Sequence, residues 1–193
     1  MKTIVTVKST PFCNSLGQHY NAAAGPMLAN DRDLDRINVQ LMNFDDMFHH
    51  PDYQIRYSDT RVALMKYVSE IVKSLPAMQR EINQLRTGES LTTDKAEAAQ
   101  LHQVAEKMQL AYNKQHQLAT DLSGVIQSMM DYRPPADLDI SQEELAEAGM
   151  PQEMRSVKSY LRFDGQRDVL AQAEDAAANL AIDLASTHCL EQK

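Results

Sequence analysis

The sequence predicts an all-α protein, an elongated four- to five-helix bundle built around a long antiparallel helical hairpin. Three observations carry this prediction. First, Leu64, Val68, Ile71, Leu75, Met78, Ile82 and Leu85 follow one another at alternating steps of four and three. Leu101, Val104, Met108, Ala111, the polar Gln115, Leu118, Leu122, Val125 and Met129 do the same. A mean step of about 3.5 residues is the period of a helix that keeps one seam against a neighbour. Second, Thr87-Gly88-Glu89-Ser90 lies between the two runs and reads as a helix stop and restart. Third, the 193 residues hold only 6 Gly and 7 Pro and no Trp, and Ala, Leu, Gln, Glu, Asp and Met, mostly good helix formers or cap residues, dominate. One domain spanning 1–193 is expected, with enough chain for a sizeable core.

Residues 1–8 alternate apolar and β-branched positions, as a short strand or an extended tail would. Their apolar part stops at Lys8, short of the roughly 7–15 residues of a signal-peptide core. Ser9-Thr10-Pro11 is a helix start, a hydroxyl cap followed by Pro in the first turn. That helix is expected to break at Gly25-Pro26. Asn30-Asp31 is expected to cap the next helix, with Leu34, Ile37, Leu41, Phe44 and Phe48 on its apolar face, ending before Pro51.

After a Tyr-rich connection, Ser58-Asp59 is expected to cap the first hairpin arm, over about 58–86. Pro76 lies inside this arm, where it should kink the helix without shifting the seam. Leu91-Thr92-Thr93-Asp94 caps the second arm, expected over about 93–132 and roughly 60 Å long. The segment 133–151 is acidic and flanked by prolines, and reads as a linker with at most one short helix. A C-terminal helical region follows over 152–190, expected to be interrupted at Gly165. Its seam is Leu170, Ala173, Ala177, Leu180 and Leu184, and its many alanines let a partner helix approach closely.

The chemistry is sparse. The net charge of −8 and the absence of a basic cluster argue against nucleic-acid binding. No apolar run is long enough to insert in a membrane. Asp45, His49, His50 and Asp52 are the candidate metal ligands, because Asp45 and His49 stand four apart and share a helix face. The bland reading of this group is a polar helix end. No Glu-x-x-His occurs, which argues against a carboxylate-bridged di-iron bundle. No Gly-x-Ser-x-Gly or phosphate-cradling glycine loop occurs either. His102, Glu106 and His116 fall near one stripe, read as solvated surface or a pH-sensitive contact. Eleven methionines suit flexible core filling or an adaptable binding groove. Gln115, inside an apolar seam, should fix register or meet another polar group.

Cys13 and Cys189 admit two readings. They are free thiols in a reduced compartment, or a disulfide that closes most of the chain and contributes roughly 4–5 kcal/mol in the chain-entropy model. No residues reach motif-level resemblance to a known family. The expectation is a non-enzymatic protein–protein interaction module using a helix face: an adaptor, a secretion chaperone or an immunity-type protein. No cofactor is expected, and the partner is another protein, for which acidity suits a basic surface. The chain is read as monomer or homodimer and as cytoplasmic, or periplasmic if a leader has been removed. The alternative is a small-ligand-binding or sensory bundle of the cell envelope, and less favoured still is a metal-dependent enzyme. A sealed apolar cavity would favour the ligand reading and an exposed apolar face the interaction reading. Exposed seam residues would point to a dimer.

Overall fold

The computed structural model describes residues 5–42, 47, 50–131 and 157–192. The chain is an all-α bundle in which four helices pack against one another. In order, β1 (Val5–Val7) leads to α1 (Pro11–Asn14), a π-helical segment (Ser15–Tyr20) and α2 (Asn21–Met42). The hairpin arms are α3 (Tyr53–Leu91) and α4 (Lys95–Asp131), and α5 (Val157–His188) and β2 (Leu190–Gln192) complete the chain. The expected linker over 133–151 lies outside the described residues.

Several local signals act as expected. The Thr10 side chain accepts from the Cys13 amide with Pro11 in the first turn, so α1 begins where the sequence places it. Asp94 Oδ1 accepts from the amides of Ala96 and Glu97 at 2.8 and 3.0 Å, capping the second arm. In α3 the residues from Leu64 to Leu85 on the predicted seam are all buried, and the phase carries through Pro76 unshifted.

Five expected helix boundaries are corrected by the continuous helices of the structure. Gly25-Pro26 does not end a helix and Asn30-Asp31 does not cap one. Ala23, Met27, Asn30, Leu34 and Ile37 form a single buried seam at steps of four and three straight through Pro26. Of the remaining expected face residues, Leu41 is half-buried, and Phe44 and Phe48 lie outside the described residues. The first arm starts at Tyr53, not at Ser58-Asp59, since Tyr53 and Tyr57 are themselves buried seam residues. The Tyr57 hydroxyl donates to the Met129 carbonyl on α4 at 2.9 Å, which anchors that extra turn.

Thr87–Ser90 is not a stop, and α3 runs on to Leu91. Gly88 is a point of close helix approach: a Cβ there would overlap the Ser15 hydroxyl. Gly165 does not interrupt α5. It sits on the exposed side, while Phe163, Leu170, Ala173, Ala177, Ala181 and Leu184 bury the other. Two seam positions slip by one residue, with Ala181 buried in place of Leu180 and Ile126 more deeply buried than Val125.

The contacts fall into two compact units, each assembled from three or two separate stretches. The first comprises Met1–Ala29, Ser74–Gln115 and Val169–Lys193. Here β1 pairs antiparallel with β2, Val5 opposite Gln192 and Val7 opposite Leu190, an element the sequence reading missed at the C-terminal side. The Lys8 amide extends the pairing to the Cys189 carbonyl at 2.9 Å. Beside it Cys13 and Cys189 are joined as a disulfide, with their Cα atoms 5.5 Å apart. Phe12 is fully buried there and meets the edge of the His188 ring.

The second unit comprises Asn30–Lys73 and His116–Asp168. Its α2 and α5 stretches are tied by Asn38 donating to Asp164 and by an ion pair between Arg167 and Asp35. Arg36 lies over the Tyr67 ring of α3, 5.7 Å from its centre.

Candidate functional site

The most distinctive surface belongs to the second unit and lies on α3. Beside its buried seam runs another series at the same steps: Ile55, Ser58, Val62, Met65, Ser69 and Val72. Its apolar members stay in solvent, with Ile55 65%, Val62 59%, Met65 41% and Val72 46% exposed. At 3.6 residues per turn the series covers an arc of about 100°, a stripe rather than a scatter. Isolated exposed apolar residues are ordinary on protein surfaces, but four in one heptad phase are not. Spacing alone singles out the other phase of α3 as its seam and leaves this one unmarked. The signal was there, interleaved with the core seam.

The flank of the stripe away from the core carries Asp52, Asp59, Lys66 and Lys73, seven residues apart and all exposed. Asp52 pairs with Arg56 at 2.6 Å, and Lys73 with Glu70 at 3.1 Å. The hydrogen bond from Arg56 holds the Asp52 carboxyl below its ordinary range. On the other flank the helix turns into its own core at Val68 and Leu75.

The first unit offers a groove of about 210 Å³ beside the disulfide, open to solvent and mostly apolar. The π-helical segment supplies Leu16, Gly17 and Tyr20, and α5 supplies Ile182 and Ala185. Leu16 and Tyr20 stand four apart, so the helix presents both on one face, and both line the groove. Also in the first unit, buried Gln115 donates to the Met27 carbonyl at 3.1 Å and to Glu174 at 2.8 Å. Burial, and then the negative charge of Glu174, push the Tyr20 hydroxyl above its ordinary pKa. Gln115 is thus a polar crosslink between α2, α4 and α5.

The other predicted residues scatter. Asp45 and His49 lie outside the described residues. His50 is exposed and Asp52 is engaged by Arg56, and among the described residues no group of three His, Cys, Asp or Glu could hold a metal ion. His102 pairs with Glu89 and Glu106 with Arg86, so the expected stripe is divided between separate partners. Among the described residues no helix is long and apolar enough to cross a membrane. Comparison of the chain with protein-family models, with curated proteins and with solved structures finds no match.

Proposed function

We propose that this chain is a non-enzymatic protein-interaction module that works through the α3 stripe. The observation that carries the reading is the second heptad phase from Ile55 to Val72, left in water although its residue types suit a helix–helix seam. Desolvating such side chains against a partner is favourable in proportion to the apolar area covered. An acidic chain with an exposed apolar stripe fits an adaptor, chaperone or immunity-type role better than catalysis. Supporting a non-catalytic role, the buried polar side chain in the first unit, Gln115, spends its donors on bridging helices through the Met27 carbonyl and Glu174. The disulfide favours an oxidising compartment, so a periplasmic or extracellular location is preferred over the cytoplasm.

The test is capture from the cell that makes the protein, using the unaltered chain beside Val62→Glu/Met65→Glu. A protein retained in stoichiometric amount by the former and lost by the latter is the expected result. Equal capture by both rules out the stripe. A second reading, a bundle that binds a small apolar ligand, draws on the groove beside the disulfide. Its openness to solvent favours it less than a sealed cavity would.

A further inference from the structure

Building on the reading of the α3 stripe as the working surface, we infer that its occupant is a second copy of the chain, docked antiparallel about a two-fold axis. The charge order on the stripe's outer flank carries this. Asp52, Asp59, Lys66 and Lys73 are two acids followed by two bases at heptad spacing. Such a row is its own complement when reversed, which is the requirement for a two-fold interface, where the same patch serves both subunits.

The register follows from layer geometry. In an antiparallel helix pair each seam residue of one helix shares a layer with one of the other. Setting Val62 against Met65 of the second copy also sets Ile55 against Val72 and Ser58 against Ser69. Apolar then meets apolar and hydroxyl meets hydroxyl in every layer. The same register brings Asp59 beside Lys66 of the second copy and Asp52 beside Lys73, each pair occurring twice. Opposite charges across a seam set partner choice and orientation. A parallel pair would instead set this flank against Arg61 and the buried Val68, and no acid would face either lysine.

The stripe from Ile55 to Val72 is about 26 Å long. A contact of that size falls in the small, weak class of interfaces. The dimer therefore forms with a dissociation constant on the order of 100 µM and weakens as salt rises.

Sedimentation equilibrium of the full chain tests this, with two single substitutions on exposed positions, Lys66→Glu and Asp59→Lys. In a dimer of either variant, the Asp59–Lys66 contacts become like-charged. Each variant alone is expected to dimerise about tenfold more weakly than the unaltered chain. Their equimolar mixture restores opposite charge at both contacts and is expected to dimerise as the unaltered chain does. Circular dichroism checks that both variants are folded.

An unaltered chain that stays monomeric at every concentration overturns the assignment. So does dimerisation that both variants leave untouched. If the chain is monomeric but Val62→Glu/Met65→Glu still loses a captured protein, the second copy is excluded and the stripe keeps its role. If neither association depends on the stripe, both readings fall.

Discussion

Gly88→Ala gives opposite answers depending on whether Gly88 is a helix breaker or a spacer. In the middle of a helix, replacing Gly by Ala stabilises by about 1 kcal/mol through backbone entropy. At Gly88 the added methyl overlaps the Ser15 hydroxyl, and the Ser15 Cβ stands only 2.8 Å away, with Leu101 Cδ2 at 3.3 Å. Turning the hydroxyl aside does not clear the Cβ, so the π-helical segment itself must shift. Overpacking of this kind costs about 1–3 kcal/mol. The net expectation is a loss of about 1 kcal/mol. Gly165→Ala is the control: a Cβ there meets nothing within 4 Å, so the gain of about 1 kcal/mol stands undiminished. The two variants should differ by about 2 kcal/mol, or about 1 M in the midpoint of urea unfolding. Combining Gly88→Ala with Ser15→Gly should recover the loss, whereas Ser15→Ala, which keeps the Cβ, should recover only part of it. A Gly88→Ala midpoint raised as far as that of Gly165→Ala would refute the spacer role.

Reducing the Cys13–Cys189 bond opens a loop spanning 176 residues of sequence. The chain-entropy model gives up to about 5 kcal/mol for such a loop, so thermal melting should fall by many degrees in reductant, and an unchanged melt contradicts it. Gln115→Ala removes donors to the Met27 carbonyl and Glu174 and leaves a cavity. It should cost about 2–4 kcal/mol by denaturant titration. Gln115→Glu should be worse above the carboxylate range, because it faces Glu174 with a like charge. Glu174→Gln should lower the Tyr20 pKa part of the way toward its ordinary value, followed by ultraviolet absorbance, since burial is the larger cause of the shift. The sign is that of a raised pKa: the contribution to stability is complete below the unfolded value and is lost as pH rises through the folded one.

The parts of the fold legible in the sequence were those set by periodic burial. The seams from Leu64 to Leu85 and from Leu101 to Leu122 needed only spacing, and the Thr10 and Asp94 caps only local chemistry. What failed was punctuation. Pro26, Gly88 and Gly165 carry identical local meaning as breakers, and only tertiary neighbours decide otherwise. Pro26 is spanned by a seam from Ala23 to Ile37, Gly88 receives Ser15 from far away in sequence, and Gly165 simply faces water. The β1–β2 pairing was illegible for the same reason, since Leu190–Gln192 has no strand signal apart from its partner. The α3 stripe is different: its spacing was in plain view, but exposure, which separates a second seam from a wider core face, belongs to the folded chain.

The clasp formed by the β1–β2 pair and the Cys13–Cys189 bond also fixes how the molecule responds to tension. A pull applied at Val7 and Leu190 first strips a few strand hydrogen bonds and then loads a covalent bridge. Everything between residues 13 and 189 lies behind that bridge and carries no load. A tether attached at these two points could be stretched hard while the helices, and the stripe on α3, keep their native geometry. Under reducing conditions the same pull would instead peel α5 away from its neighbours.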